Sequence, residues 1–182
     1  MKPPQYALVA YVRNCLGEFV EGLRRELDPE HAHFPAHVSI LPPRVLQGNE
    51  SDALGLIEQV CRAVEPFEVT MGDVETFAPA SPTVFIRVAR AAYKMRELHD
   101  KLNVGVLFAD EAWPYMPHLT LLKVNSVEVA RAAIEKAEKS WSRYCDTRTV
   151  LVDQLTFVRE SGPNQWSDLV PVPLGKGLAT IR

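Results

Sequence analysis

Cysteine is scarce in this chain: three in 182 residues, Cys15, Cys61 and Cys145. The number is odd, the three are far apart and no CxxC pair occurs. A disulfide framework is thereby excluded, and buried thiols in a reducing compartment are expected. Long apolar runs are lacking as well. None approaches the roughly 18 residues that span a bilayer. The apolar run after Pro3-Pro4 is too short for a signal h-region with its cleavage site. The expectation is a cytoplasmic protein with no membrane contact. Excess positive charge is also missing, since the formal net charge is −3. That argues against non-specific coating of nucleic acid and against stable DNA binding, but leaves room for a local basic cleft holding one phosphate or one RNA end. Low-complexity segments and linkers are absent, so residues 1–182 read as a single unit, expected to be monomeric.

Hydrophobic residues make up 47% and charged residues 24%, which is the balance of a globular chain. Fourteen prolines cluster where elements should end. Tyr6 to Val12 reads as a buried strand. Gly17 to Leu27 carries Phe19, Val20, Leu23 and Leu27 at helical spacing and stops at Asp28-Pro29. His37 to Leu41 is a second strand, expected to close at Pro42-Pro43. Asn49 or Ser51 caps a helix with Leu54, Ile57, Val60, Cys61 and Val64 on one face. Phe67 to Phe77, interrupted by Gly72, and Thr83 to Ala89 read as a hairpin. Ala91 to Leu102 is a helix, followed by a loop from Gly105 to Pro117 and a strand from His118 to Val124. Ser126 caps a helix over Val127 to Trp141. Thr147 to Val158 is expected to be one long strand, which turns at Gly162-Pro163-Asn164 and pairs with Trp166 to Leu174. Interleaved strands and helices with two hairpins predict an α+β fold or a split α/β sandwich.

Two tetrapeptides organise this order: His37-Val38-Ser39-Ile40 and His118-Leu119-Thr120-Leu121. Each reads His, apolar, hydroxyl, apolar, with a proline upstream (Pro35 and Pro117). Strand side chains alternate between faces. His37 and Ser39 therefore share one face while Val38 and Ile40 enter a core, and the second copy has the same parity. Copies 81 residues apart in a 182-residue chain suggest the halves of a pseudo-symmetric fold. Two imidazoles in one cleft supply an acid and a base near neutral pH. Ser39 and Thr120, roughly 6–7 Å along the strand from each histidine, can donate to the non-bridging oxygens of a phosphate. Such a site requires no metal or other cofactor.

The paired motifs resemble those of the two-histidine (2H) phosphoesterase superfamily, nearest to the 2'-5' RNA ligases and RNA 2',3'-cyclic phosphodiesterases. Pro117 before the second motif and the run Val152 to Ser161 followed by Gly162 and Trp166 resemble that family too. The likeness covers nearly the whole chain. It implies a bilobal α+β fold: two pseudo-symmetric lobes of antiparallel sheet, outer helices and a central cleft faced by both motifs. It also implies metal-free hydrolysis of a 2',3'-cyclic phosphate to a 2'-phosphate, or reversible action on a 2'-5' linkage, on an RNA 3' end or small cyclic nucleotide. By the same likeness His37 is the acid and His118 the base. Ser39 stands where threonine is frequent, and the hydroxyl is kept.

Weaker candidates surround this core. Arg44 and Lys123 could offset phosphate charge. If the face carrying Phe85 and Arg87 is the cleft, Phe85 could stack on a base and Arg87 hold phosphate. Tyr11 and Tyr115 are further cleft aromatics, whereas Trp113 and Trp166 read as packing residues and His99 as exposed. His31, His33 and His37 could form a metal cluster by residue type, but their spacing matches no closed zinc motif. Two rival readings remain: a non-catalytic RNA-end or nucleotide-binding module in the same cleft, and a metalloprotein. The presence of both histidines with both hydroxyls favours the enzyme.

Overall fold

The computed structural model describes residues 3–29, 33–163 and 165–175. The chain runs β1 (Tyr6–Tyr11), α1 (Cys15–Leu27), β2 (His37–Arg44), α2 (Glu50–Arg62), β3 (Phe67–Thr76), β4 (Thr83–Arg90) and α3 (Ala92–Leu102). A short 3₁₀ turn at Gly105–Leu107 precedes β5 (His118–Lys123), α4 (Val127–Ser142), β6 (Thr149–Val152), β7 (Gln154–Gly162) and β8 (Gln165–Pro173). All eight strands form one antiparallel sheet in the order β6-β3-β4-β5-β2-β1-β7-β8.

That order requires curvature. β6 and β7 are separated by Asp153 alone, yet five strands lie between them in the sheet. Laid flat, the six strand spacings would hold them about 29 Å apart. The sheet therefore curls into a half-barrel that brings β6 back towards β7. The expected long strand from Thr147 to Val158 is corrected accordingly. It breaks at Asp153, with its first piece pairing β3 and its second pairing β1 and β8.

The two lobes meet at β5 and β2, which share a single register pair, Val38 with Leu119. One lobe is β6-β3-β4-β5 and the other is β2-β1-β7-β8. They are interleaved in sequence rather than stacked end to end. Helix α1, N-terminal in the chain, packs on β5 beside α4, whereas α2 and α3 pack on β8 and β2. Val38, Ile40, Leu119 and Leu121 lie in the main core, all at 1% exposure or less. The helices cover that side of the sheet and leave its other face to form the groove.

Local chemistry explains the elements. Asn14 caps α1 by accepting from the amides of Leu16 and Gly17, so the helix starts two residues before the expected Gly17. Gly17 is needed for the close approach of α1 to β1, because a Cβ there would sit 2.0 Å from the Val12 carbonyl oxygen. The interruption at Gly72 is a bulge, where the β3–β4 register shifts between Met71 and Val74. Strand β2 does not close at Pro42-Pro43 as expected but continues to Arg44. The register shift against β1 between Leu41 and Arg44 takes up the two prolines, which donate nothing to a ladder. Cys61 is buried as expected, whereas Cys15 and Cys145 are exposed. Among the described residues no helix is long and apolar enough to cross a membrane.

Candidate active site

The strand registers place the motif residues in two rows across the concave face. Tyr11 opposes His37, and Val9 opposes Ser39. Phe85 opposes Thr120, and Arg87 opposes His118. Extending the Val38–Leu119 register by one residue each way sets His37 against Thr120 and Ser39 against His118. One row is then Phe85–Thr120–His37–Tyr11 and the other Arg87–His118–Ser39–Val9. Directly opposed Cβ atoms lie roughly 5 Å apart and diagonal pairs roughly 7–8 Å. The two imidazoles occupy one diagonal of a four-residue square and the two hydroxyls the other, a frame of the size of a phosphodiester group.

Each ring is fixed in the same way. His37 Nδ1 lies 2.7 Å from the Pro35 carbonyl oxygen, and His118 Nδ1 lies 2.7 Å from that of Met116. A carbonyl only accepts, so Nδ1 carries the proton and Nε2 is left as the acceptor nitrogen. Both residues are half-buried. Burial disfavours the imidazolium and pushes His37 down to about 4. The Pro35 hydrogen bond opposes that shift, while the charges of Arg24 and His118 add to it. His118 is also lowered, by burial first and by Lys123, against the Met116 bond. The free protein therefore holds both rings neutral at pH 7, below the ordinary histidine range expected from sequence.

A buried arginine holds this frame together. Arg24 on α1 is 5% exposed. Its Nε and Nη2 donate to the Thr120 carbonyl at 2.9 and 2.6 Å. Its Nη1 donates to the Phe34 and Pro35 carbonyls at 2.9 and 3.3 Å. One guanidinium thus ties the second motif to the carbonyl that orients His37. The first motif is braced from the other lobe, where Tyr115 Oη donates to the Ser39 carbonyl at 2.8 Å. Sequence reasoning passed over Arg24. The available signal was a cation within the Val20–Leu23–Leu27 stripe of α1.

The weaker candidates divide. Tyr11 lies beside His37: its ring stands edge-on to that imidazole with centroids 6.3 Å apart, and its hydroxyl donates to Asp168 at 2.6 Å. Arg87 lies opposite His118 at the groove wall, half exposed, with Glu75 at 3.4 Å. Phe85 lies on the groove face but is 1% exposed. It packs under Phe77 and against His118, with centroids 4.2 and 5.0 Å away, so it supports the histidine and offers no open ring for a base. Arg44 is corrected. It is 5% exposed, and its guanidinium is committed to Glu111, Asn103 and the Pro42 and Leu107 carbonyls. Tyr115 is a brace rather than a groove aromatic, with its hydroxyl used and its ring stacked on His99 at 4.2 Å. His99 is buried at 5% exposure, between Tyr115 and Glu111, contrary to expectation. Trp113 is 73% exposed and does not pack in a core. Trp166 packs against Ala7, Val9 and Val158 on the groove side.

His31 lies outside the described residues, and His33 is exposed. Among the described residues no three His, Cys, Asp or Glu side chains converge on a cation-sized site.

The curled sheet with four outer helices is also seen in solved structures. Escherichia coli LigT, in complex with NADP⁺, matches 96% of this chain and 99% of its own with a TM-score of 0.61 at 14% identity. TT0787 of Thermus thermophilus matches 94% of this chain and 99% of its own with a TM-score of 0.65 at 16% identity. These likenesses establish the fold. The sequence goes further: residues 14–164 match the model of the 2'-5' RNA ligase superfamily, and the chain belongs to that family of two-histidine phosphoesterases. A protein of Halalkalibacterium halodurans, provisionally named a phosphoesterase, is 26% identical over 172 residues, 94% of this chain and 98% of the relative.

Proposed function

We propose that this protein is a metal-independent phosphodiesterase that opens 2',3'-cyclic phosphates of RNA ends or small nucleotides to 2'-phosphates. The observation that carries the reading is the square of His37, Thr120, His118 and Ser39, with both Nδ1 atoms held on main-chain carbonyls. Ser39 and Thr120 hold the non-bridging oxygens. One histidine takes a proton from water as its oxygen bonds to phosphorus. The other gives a proton to O3' as the P–O3' bond breaks, leaving the phosphate on O2'. The proton balance closes over one turnover once the two rings re-equilibrate with solvent. Both rings are lowered, and the acid–base order follows the family likeness, with His37 as the acid and His118 as the base. A bound phosphodiester anion favours the imidazolium and raises the pKa of both rings. The donor set of hydroxyls and imidazoles supplies charge stabilisation and proton transfer without a cation.

LigT of Escherichia coli has been crystallised with 3'-AMP and with ATP, which supports a nucleotide-sized ligand for a groove of this fold. The alternative is a module that binds such ends without turnover. A panel of 2',3'-cyclic nucleotides assayed in EDTA separates the readings. The proposal expects 2'-phosphate products with EDTA present. Turnover that vanishes on chelation and returns with a divalent ion contradicts it, and tight binding with no turnover favours the module.

A further inference from the structure

The groove is flanked unequally. On the His118 side, Phe77 and Phe85 stack on each other, and the inner ring is closed off. On the His37 side there is an open recess lined by Tyr11, Arg13, Pro35, Trp166 and Asp168, among others. It adjoins the reacting centre directly. Pro35 supplies the carbonyl that holds His37, and the Tyr11 ring edge meets the His37 ring. Trp166 and Asp168 are two apart on β8 and so share a face. Their register partners on β7 are Glu160 and Val158, and Val158 belongs to the groove-side cluster with Ala7 and Val9.

The chemistry of the recess selects its occupant. Two half-buried aromatic rings, Tyr11 and Trp166, line the recess, with the Arg13 guanidinium over the Tyr11 ring at 5.1 Å from its centroid. The carboxylates of Glu18, Glu21 and Asp168 outnumber the single cation Arg13, so a second phosphate is repelled there. Asp168 Oδ1 accepts from the Tyr11 hydroxyl, which fixes the carboxylate at the recess wall. A fixed carboxylate selects N–H donors. Among the bases, guanine alone presents two adjacent donors, N1–H and N2–H, on one edge. Uracil has one N–H between two carbonyls, which a carboxylate repels.

We infer that the Tyr11–Trp166–Asp168 recess is the nucleobase subsite, with the base stacked on Trp166 and Asp168 selecting guanine over uracil. The inference rests on the reading of the groove as a cyclic phosphodiesterase centre. A hydrogen bond to a charged group is worth roughly a 10- to 100-fold preference. Loss of a stacking platform costs roughly 5- to 100-fold in binding.

The test compares 2',3'-cyclic GMP with 2',3'-cyclic UMP. Wild type should show kcat/KM at least about tenfold higher for the guanine substrate. Asp168→Asn, which keeps an oxygen for the Tyr11 hydroxyl, should bring the ratio to within about twofold. Trp166→Ala should raise KM for both substrates, and Trp166→Phe should restore it. Calorimetric titration with 2'-GMP and 2'-UMP gives a readout independent of turnover. If no cyclic nucleotide is opened, the activity assignment fails, while tighter 2'-GMP binding that depends on Asp168 still supports the subsite. Equal affinity and equal rates for the two bases in wild type overturn it, as does an Asp168→Asn protein that keeps the preference.

Discussion

Arg24→Met is the perturbation whose consequences the structure defines most fully. The guanidinium is nearly all buried, and burial lowers its pKa to about 10 against the opposing charges of Glu21 and Asp28. It serves three carbonyls: Thr120, Phe34 and Pro35. Methionine fills most of the volume and donates nothing. The Pro35 carbonyl keeps His37 Nδ1 as a partner, and the Thr120 and Phe34 carbonyls each lose the Arg24 donor. At about 1–3 kcal/mol for each buried acceptor left short, the expected loss is about 2–6 kcal/mol. For a chain of this length that lowers Tm by roughly 4–24 °C. The electrostatic consequence is separate. Arg24 is one of the charges that depress His37, so the methionine variant should titrate His37 at a higher pH, still below about 6.5 because burial remains. Arg24→Lys keeps the charge but loses the fork. It should lose stability while leaving His37 depressed. Thermal melts give the first quantity, and NMR titration of the ring protons gives the second. A methionine variant that melts within about 2 °C of wild type, with His37 titrating unchanged, would refute the bracing role.

Three further outcomes follow from the same geometry. Ser39→Ala and Thr120→Ala should each slow turnover by roughly 10²- to 10³-fold through loss of a donor to the phosphate; wild-type kinetics in both would place the phosphate elsewhere. Because His37 is depressed in the folded state, its share of stability is full above pH 6.5, the unfolded value, and is lost as pH falls through about 4. Urea melts at pH 7 and pH 4 should differ by about 2 kcal/mol more in wild type than in His37→Gln. Gly17→Ala should cost at least about 3 kcal/mol from the clash with the Val12 carbonyl, whereas Gly55→Ala, inside α2 with nothing within 4 Å, should stabilise by about 0.5–1 kcal/mol; the same sign in both would contradict the packing described.

Much of this site was legible because strand parity is a strong constraint. A period of two places His37 with Ser39, and His118 with Thr120, whatever the surrounding fold. The apolar partners Val38, Ile40, Leu119 and Leu121 leave only one face that can meet solvent. What sequence could not supply was non-local. The break at Asp153 arises from closure of the sheet, which no property of Leu151 to Leu155 encodes. The continuation of β2 through Pro42-Pro43 depends on a bulge against β1. Arg44, His99 and Tyr115 resemble surface or groove residues by type. They are instead joined through Glu111, Asn103 and the Ser39 carbonyl, partners 59 to 76 positions away in the chain for Arg44 and Tyr115. Arg24 was hidden for the same reason. A charged residue in an apolar stripe announces a buried partner without saying which.

The central claim is that His37 and His118 act as one proton-transfer pair, and the measurement that tests it is the pH dependence of cyclic-phosphate opening by wild type, His37→Ala, His118→Ala and the double variant. Wild type should give a bell in kcat/KM with its optimum below about pH 6.5, since both rings are lowered in the free protein. His37→Ala and His118→Ala should each remove one limb of the bell, with a loss of roughly 10²- to 10⁴-fold. The double variant should be far less impaired than the product of the singles. A folded His118→Ala protein, checked by circular dichroism, that opens 2',3'-cyclic nucleotides at the wild-type rate would contradict the account.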